Sequence, residues 1–534
     1  MKNPFHKMMF LLATVAVIFS TLSLLNYREE DLIQPNENQI QNFFKKPIKK
    51  ESEEVFEPLS SLYKDNKIHH ADSMLQEENI IYYIQENTIL RFDEETLEFQ
   101  SYALSSFYPV EMQIYQHQLI VFGVTSNEKI IEIDQDKSFP YADYEFQIVF
   151  LEKKNLKKIR QIHFYHCYYI ESQIMNGKMY FSLGTTDIVN KETQEFIYPR
   201  YKDSFYPLEQ KLSSDQIFMM QDGQPVMSMT LLCKLNLDFL FSNVTMIGLL
   251  GIDGMIQITP SYVIVSCSSY QKIMYTHFLF FSLRQFSYEG KVTLKGYLMN
   301  VEAMNVYEDY FRVLLSYYEE EGAFHQVYNV RISNFQVLST KEVAPLENIY
   351  CMRYKDNFLY ISAFQYIDPL YVLDFSNPMK IQTILKKKTQ WVQEYIEIHD
   401  NFIFTVGRKI DQDLMPKETV FSILHPETLD VLNSYTLDEN ISLQVIWDER
   451  SVIQRDNEWF FLGFIEQKSF IFRIKITTSI EYLTPILLYE NWLQRATFGQ
   501  KYFIAFGYEG LYLYHIDDFS LAKTFTYQRK DENR

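Results

Sequence analysis

The sequence predicts an all-β fold, a β-propeller of seven or eight four-stranded blades, and three observations predict it. Aromatic residues make up 16% of the 534 residues, and such side chains suit pleated, half-buried surfaces. Short strand-like runs recur along the chain, each behind a polar pair that often contains Asp or Asn. In the C-terminal half these runs begin 44 to 56 residues apart, which is close to the length of one four-stranded blade.

Five units of the C-terminal half open in the same way, with a polar turn followed by an aromatic and β-branched strand. They are Asp309-Tyr-Phe-Arg-Val, Asp356-Asn-Phe-Leu-Tyr-Ile, Asp400-Asn-Phe-Ile-Phe-Thr, Asp456-Asn-Glu-Trp-Phe-Phe and Gln500-Lys-Tyr-Phe-Ile-Ala. A lone four-stranded sheet cannot bury both of its faces, whereas radial packing between neighbouring blades buries both. A β-sandwich would not keep one period over about 400 residues, and a β-solenoid has a shorter repeat.

A resemblance to a known family supports this fold. The run Asp368-Pro-Leu-Tyr-Val-Leu-Asp-Phe-Ser-Asn-Pro378 is similar, nearly residue for residue, to a motif of the C-terminal β-propeller domain family of secreted or membrane-anchored bacterial proteins, distant relatives of WD40 propellers. Leu346-Glu-Asn-Ile-Tyr350 and the strand from Asp400 to Gly407 resemble further elements of that family. The likeness extends over about residues 71–525. It implies a propeller outside the cytoplasm and carries over no catalytic residue.

The N-terminal segment predicts a membrane anchor. Met8–Leu25 contains no charged residue and follows Lys2 and Lys7. As a helix it would reach about 27 Å, nearly the thickness of a hydrocarbon core. Because the basic residues precede the span, residues 1–7 are expected in the cytoplasm and the rest outside it. Cleavage as a signal peptide stays open, with Thr21-Leu22-Ser23 as the nearest small-x-small site.

The remaining chain divides into a tether and the propeller. Residues 26–70 contain Pro35, Pro47 and many charged residues without a sustained period, which favours an extracytoplasmic stalk. Residues 71–528 are assigned to the propeller. The predicted location is therefore the cell membrane, with a single span and the propeller outside the cytoplasm.

Charge restricts the class of partner. The formal net charge is −19, whereas nucleic acids need a basic footprint on the protein. We therefore predict no nucleic-acid partner. The predicted partners are the membrane, through the one N-terminal helix, and a protein or cell-envelope component on a propeller face.

The sequence predicts no catalytic, cofactor-binding or metal-binding residue and no cofactor. His163-Phe-Tyr-His166-Cys167 resembles a metal cluster, but alternation along a strand would point His163 and His166 to opposite faces. Asp134-Gln-Asp136 lacks the Gly and the distal Glu of a calcium loop. The four cysteines are predicted to be small buried side chains, and a disulfide between two of them stays open: Cys167, Cys233, Cys267 and Cys351.

These observations favour a binding or scaffolding module over an enzyme. The alternative is a hydrolase or lyase that acts on an envelope polymer with carboxylates in the propeller channel. Convergent acidic groups with perturbed pKa values in the channel would favour the enzyme. An apolar or aromatic patch on one rim would favour the binding module.

Two local predictions concern packing. Phe358 and Tyr360 lie two residues apart in one strand and should share a face, so truncating Phe358 is expected to cost about 3–5 kcal/mol. The apolar stretch Phe239–Ile252 is too short and too polar to span a membrane, and it is predicted to be buried core.

Overall fold

The computed structural model describes residues 32–37, 39–40, 69–70, 72–104, 108–134, 137–185, 188–190, 193, 195–220, 228–252, 254–270, 273–364, 368–410, 416–437, 441–465, 468–477, 479–487 and 493–527. Within these ranges the strands form nine sheets, each a blade of a β-propeller. The all-β propeller is confirmed. The predicted number of seven or eight blades is wrong, because long strands and an insertion hide the period within residues 108–250.

The blades follow one another along the chain, and the strands of each are counted outward from the channel. Blade 1 is Met74–Glu77, Ile80–Gln85, Thr88–Asp93 and Glu98–Ala103. Blade 2 is Tyr108–Tyr115, Gln118–Asp134, Lys137–Glu152 and Lys158–Phe164. Blade 3 is Cys167–Met175, Lys178–Thr185, Met229–Asn236 and Thr245–Leu250. Blade 4 is Ile256–Ile258, Tyr262–Tyr270, Met274–Ser282 and Ser287–Lys295.

The remaining five blades have the same antiparallel order. Blade 5 is Met304–Tyr307, Tyr310–Glu319, Gly322–Arg331 and Gln336–Val343. Blade 6 is Asn348–Lys355, Phe358–Phe364, Asp368–Asp374 and Gln382–Thr389. Blade 7 is Val392–Ile398, Ile403–Ile410, Pro416–Leu424 and Val431–Thr436. Blade 8 is Ile441–Leu443 with Val452–Arg455, then Glu458–Ile465, Lys468–Ile476 and Ile480–Leu487. Blade 9 is Leu493–Phe498, Tyr502–Gly507, Gly510–His515 and Leu521–Thr526.

The polar pairs found in the sequence form the turns between the first and second strands. In six of these turns the first residue of the pair has a positive φ, between 48° and 53°. A short two-residue turn needs this left-handed conformation, which Asn and Asp tolerate better than most side chains. The six residues are Glu78, Gln116, Asn176, Glu308, Asp356 and Asp456.

Side chains close the ring between blade 9 and blade 1. Tyr83 of blade 1 packs against Phe506 of blade 9 with ring centroids 4.6 Å apart. The buried Glu94 accepts hydrogen bonds from the main-chain N–H groups of Gln500, Lys501 and Tyr502 at 2.7–2.8 Å. Both end blades are complete four-stranded sheets, so the ring is closed by packing and hydrogen bonds and not by exchange of a strand.

The core consists of apolar layers between successive blades, as the radial packing argument requires. Phe358 and Tyr360 both face the layer between blades 6 and 7, so the predicted shared face is confirmed. Phe358 is only half-buried, however, because it is the first residue after a turn. Truncating Phe358 should therefore lower the free energy of unfolding by less than the predicted cost of about 3–5 kcal/mol.

An insertion enlarges blades 2 and 3. Between the second and third strands of blade 3, the chain supplies Arg200–Asp203 and Gln210–Lys211 to the outer edge of blade 2. It then adds Ile217–Met220 beside the fourth strand of blade 3. The insertion is one reason why the 44- to 56-residue period cannot be recognised in this half of the sequence.

Parts of the predicted stalk contact the propeller. Leu32–Ile33 pairs with Met219–Met220 at the outer edge of blade 3, and His69–His70 pairs with its first strand. Ile40 is fully buried in the layer between blades 2 and 3. At these positions the chain is docked, which differs from the free tether expected for residues 26–70.

The predicted span Met8–Leu25 lies outside the described residues. Within the part of the chain that the structure describes, no helix is long and apolar enough to cross a membrane.

Candidate functional site

A loop of blade 8 enters the central channel. The first strand of this blade is interrupted, because Leu443 pairs with Gly463 whereas Val452 pairs with Phe461. Residues 444–451, called the channel loop below, therefore stand opposite a single residue of the second strand. The loop contains the short 3-10 helices Gln444–Ile446 and Glu449–Ser451.

Ion pairs tie the channel loop to distant blades. Glu449 pairs with Arg353 on the first strand of blade 6. The guanidinium of Arg450 lies 3.4 Å from Asp72, which precedes blade 1, and 3.5 Å from Glu111 on the first strand of blade 2. Since these partners lie on opposite sides of blade 8, the loop lies across the channel.

Blade 9 contributes a further cation to the same network. Arg495 Nη1 lies 2.8 Å from Asp448 Oδ2, and Arg495 Nε lies 3.4 Å from Asp72 Oδ1. Burial acts to raise the pKa of Asp448, but Arg495 and Arg450 outweigh it and hold that pKa below its usual value. All three guanidiniums of the network have carboxylate partners, which disfavours binding of a free anion by these arginines.

Hydrogen bonds extend the network to blade 3. Tyr169 donates from its hydroxyl to Glu111 Oε2 at 2.8 Å. Gln113 Nε2 donates at 3.0 Å to the carbonyl and to the hydroxyl of Ser172. Burial raises the pKa of Glu111 despite Tyr169 and Arg450, which act to lower it. The channel lining is thus a connected polar cluster within an apolar ring.

Two carboxyl groups beside this network are held protonated at neutral pH. Burial, together with the nearby charge of Glu449, raises the pKa of Glu302 to about 8. Burial and the charge of Glu111 raise the pKa of Glu171 to about 8 as well. A neutral carboxyl group can donate a hydrogen bond or act as a general acid. Their raised pKa values are one of the two features that the enzyme alternative requires, the other being convergence of such groups on one point of the channel.

These carboxyl groups predict a pH dependence of stability. Folding raises the pKa of Glu302 and of Glu171 from 4.5 to about 8, so the folded state binds more protons than the unfolded state. The stabilisation that each bound proton gives to the folded state is therefore complete below pH 4.5, and it is lost as the pH rises to about 8. The free energy of unfolding should fall there by up to about 1.4 kcal/mol per pH unit for each group.

The variant Glu302→Gln should flatten that slope, as measured by denaturant unfolding of the protein at several pH values between 5 and 8. The matched control is Glu320→Gln, at an exposed position of blade 5, which should leave the slope unchanged. An unchanged slope in Glu302→Gln would show that this carboxyl group ionises normally in the folded protein.

His163 and His166, the two histidines of the metal-like cluster in the sequence, have separate surroundings. His163 Nε2 lies 3.0 Å from Glu145 Oε2, and His166 occupies a turn with φ 56°. In the described residues, no group of three His, Cys, Asp or Glu side chains could hold a metal ion. Asp136 lies outside those residues, so the Asp134–Asp136 pair is not described.

No disulfide joins any of the four cysteines, which all lie within the described residues. Cys167 and Cys233 are buried in the layer between blades 2 and 3, as predicted for small apolar side chains. Cys267 and Cys351 are half-buried. Burial raises the pKa of the Cys351 thiol, which lies near Arg353 in the channel, to about 12. The thiol is therefore protonated at neutral pH and is a poor nucleophile.

One face of the ring exposes large aromatic side chains. Because neighbouring strands are antiparallel, the loops between second and third strands lie at the same face as the connections between blades. This face, called the aromatic face below, carries six side chains that are 41–66% exposed: Tyr108, Tyr270, Tyr318, Tyr350, Trp447 and Tyr508. Trp447 belongs to the channel loop, so it stands over the end of the channel.

The opposite face, called the polar face below, carries the two-residue turns described above. Most of these turns consist of Glu, Gln, Asp and Asn residues. Met379, in the turn between the third and fourth strands of blade 6, is an exposed exception at 62%. Among the described residues, the exposed Tyr and Trp side chains lie on the aromatic face, whereas the exposed Phe239 and Phe241 lie in a turn on the polar-face side of blade 3. The Tyr and Trp side chains mark the aromatic face as the one suited to binding.

A second apolar surface lies on blades 2 and 3. The turn before the fourth strand of blade 3 exposes Phe239, Leu240 and Phe241 by 68%, 42% and 69%, and the neighbouring turn of blade 2 exposes Leu208 by 73%. These four residues are called the lateral patch below. The prediction of buried core for Phe239–Ile252 is wrong at these three residues, although Met246, Ile247, Leu249 and Leu250 are buried.

Comparison with known proteins agrees with this architecture. A family model described as a beta propeller domain matches residues 64–533. The chain therefore belongs to the beta propeller domain family, which confirms the resemblance found in its motifs.

Individual relatives are distant. An uncharacterized protein of Archaeoglobus fulgidus is 27% identical over 207 residues, which cover 38% of this chain and 32% of that protein. The match thus spans about a third of this curated relative's length. The dihydro-heme d1 dehydrogenase NirN is 10% identical, with a TM-score of 0.39. That match covers 71% of this chain and 70% of NirN. The β-propeller domain of the Trilobed protease from Pyrococcus furiosus is 10% identical, with a TM-score of 0.34. That match covers 67% of this chain and 97% of the protease domain.

Proposed function

We propose that this propeller is a membrane-anchored, extracytoplasmic binding module that holds a protein or cell-envelope partner on its aromatic face. The observation that carries the proposal is the set of exposed Tyr and Trp side chains, all of which lie on that face within the part of the chain that the structure describes. Tyr and Trp bring large contact area at low conformational entropy and are enriched among the residues that dominate binding energy.

Trp447 is the central anchor of the proposed surface. Its main-chain N–H donates to the carbonyl of Gln444 at 3.0 Å, and Gln444 Nε2 donates to the carbonyl of Leu493 at 2.8 Å. On the other side of Trp447, Asp448 and Glu449 are fixed by their arginine partners. The indole is thus presented by a rigid loop, which reduces the entropy lost when a partner binds.

The proposal is tested by partner capture from native membranes with the tagged full-length chain after gentle crosslinking. The double variant Trp447→Ser, Tyr318→Ser should recover at least tenfold less of the dominant partner, because loss of two such anchors weakens binding by well over 1.4 kcal/mol. The control is Met379→Ser on the polar face, with matched exposure. Equal recovery by the double variant and the control would contradict the proposal.

A second candidate is an enzyme that acts on an envelope polymer, with Glu302 as the acid in the channel. It is favoured by the pKa values of Glu302 and Glu171, both raised to about 8. The channel loop lies across the channel, which leaves the binding module as the first candidate. Release of soluble fragments from purified envelope polymer by the full chain, and its loss in Glu302→Gln, would favour the enzyme instead.

A further inference from the structure

Residues 41–68, which lie outside the described ranges, connect the two edges of the blade 3 sheet. Leu32–Ile33 forms the outer edge of this seven-stranded sheet, and His69–His70 forms its inner edge at the channel. Six strand spacings separate these edges, which is about 29 Å. The 28 residues 41–68 reach up to about 95 Å, so they can cross the sheet with ample slack.

The chain on both sides of this segment is directed by the polar-face side of the ring. Leu32–Ile33 is antiparallel to Met219–Met220, which is parallel to the fourth strand of blade 3. Because the fourth strand runs toward the aromatic face, the chain at Leu32–Ile33 runs toward the polar face. His69 pairs in antiparallel fashion with Ile174, close to the polar-face end of the first strand, so the chain comes to the channel from that side. A path over the aromatic face would have to pass the channel loop.

The lateral patch lies on the direct route between the two edges. The turn that joins the third and fourth strands of blade 3 stands in the middle of the seven strands, at their polar-face ends, and it exposes Phe239, Leu240 and Phe241. Phe205 in the neighbouring turn of blade 2 packs on Phe241 with ring centroids 5.2 Å apart. A chain that crosses the sheet on this side therefore passes the patch.

The main chain of the patch is fixed from below. Arg160 donates to the carbonyls of Leu240 at 3.0 Å and Ser242 at 2.7 Å. Arg160 is itself held by Asp203, with Nε 3.1 Å from Oδ2. The exposed apolar side chains thus stand on a preformed surface, which reduces the entropy lost when a segment docks there.

Exposed lysines border the patch on blade 2. Lys157 and Lys158 begin the fourth strand of this blade, and Lys202 lies on the insertion strand that pairs with it. The exposed acid next to the patch, Asp238, accepts a hydrogen bond from the hydroxyl of Tyr115. This border attracts an acidic segment and repels a basic one.

The sequence of the segment complements both the patch and its border. Val55-Phe56 stands inside the run Glu51-Ser-Glu-Glu-Val-Phe-Glu57, which has four acids and no base. The lysine cluster Lys45–Lys50 precedes this run and has the wrong charge for the border. The segment also supplies further apolar and aromatic side chains: Phe43, Phe44, Ile48, Leu59, Leu62, Tyr63 and Ile68.

We infer that the acidic run 51–57 docks on the lateral patch, with Val55 and Phe56 against its phenylalanine rings and the glutamates beside the bordering lysines. Docking of this run joins the contacts of Leu32–Ile33 and His69–His70 into one attachment of the N-terminal segment to blade 3. The patch is thus covered by the chain's own residues. Neither the membrane anchor nor a partner on the aromatic face is needed for this docking.

The test measures cleavage of the full-length chain in detergent by a glutamate-specific protease, with the cut sites identified by mass spectrometry. Cleavage within residues 51–57 should be at least tenfold slower in the parent chain than in the double variant Phe239→Ser, Phe241→Ser, because docking shields the run. The charge reversal Lys158→Glu, Lys202→Glu should also speed this cleavage. The control Met379→Ser, of similar exposure in the equivalent turn of blade 6, should match the parent.

A disulfide trap identifies the occupant of the patch. The chain carries Cys267→Ser and Cys351→Ser, which remove the half-buried thiols. Under mild oxidation, Phe56→Cys with Phe241→Cys should form a disulfide within one chain at least tenfold faster than Phe56→Cys with Met379→Cys.

Three outcomes overturn the docking, each for a different reason. If the parent chain is cut within residues 51–57 as fast as the patch variant, the run is not shielded. If both cysteine pairs react at the same rate, the segment moves freely over the propeller. If the disulfide joins two differently tagged chains, a second copy covers the patch instead of the chain's own segment.

Discussion

Replacing Asp203 by Ala is expected to lower the free energy of unfolding by about 3–5 kcal/mol, because it leaves the buried Arg160 guanidinium without its carboxylate partner. Arg160 is 3% exposed and Asp203 is fully buried, so water cannot replace the lost carboxylate. Asp203 also accepts a hydrogen bond from the main-chain N–H of Phe205 at 3.0 Å. Denaturant unfolding of the chain in detergent gives the measurement.

The control for this prediction is Glu209→Ala, which removes the exposed partner of Arg200 and should cost less than about 1 kcal/mol. The double variant Arg160→Met, Asp203→Leu removes both charges and should recover most of the loss. If Asp203→Ala and Glu209→Ala cost the same, the ion pair is not buried as described.

Truncation of Phe311 to Ala is expected to cost about 3–5 kcal/mol, through lost burial and the cavity left behind. Phe311 is fully buried between blades 4 and 5, with its ring centroid 4.9 Å from that of Phe278 and 5.3 Å from that of Phe280. Neighbouring blades are rigid sheets that cannot collapse into the space.

Phe358→Ala is the matched comparison, since Phe358 lies at the start of the second strand in the next blade. It is half-buried, so its loss should cost only about 1–2 kcal/mol. Both variants are compared by denaturant unfolding against the parent chain. Equal costs would contradict the assignment of Phe311 to an interblade layer.

The fold was predictable because local chemistry repeats once in each blade. Asp356-Asn357 and Asp456-Asn457 encode the same two-residue turn, and the strand after each turn is buried. The number of blades was not predictable, because residues 186–228 interrupt blade 3 and give strands to two blades. The sequence pattern also does not distinguish Leu32–Ile33 from the rest of the stalk, since a two-residue strand has no measurable period.

The candidate site was not predictable from local pattern. Glu449 and Arg353 are separated by about two blades of sequence, and they meet only because the channel loop of blade 8 reaches the first strand of blade 6. Phe239–Phe241 looks like core because hydropathy does not show which apolar run faces solvent. Trp447 lies in a loop whose sequence has no turn signature, although the interruption of the expected inner strand of blade 8 is a signal that could have located it.

Photo-crosslinking from position 447 in intact cells of the native host tests the central claim most directly. A photoreactive amino acid in place of Trp447 reports what touches the aromatic face, and the same probe at Met379 reports on the polar face. The binding module predicts one dominant adduct from position 447 that is absent from position 379. The absence of any adduct from position 447, or the same adducts from both positions, would contradict it.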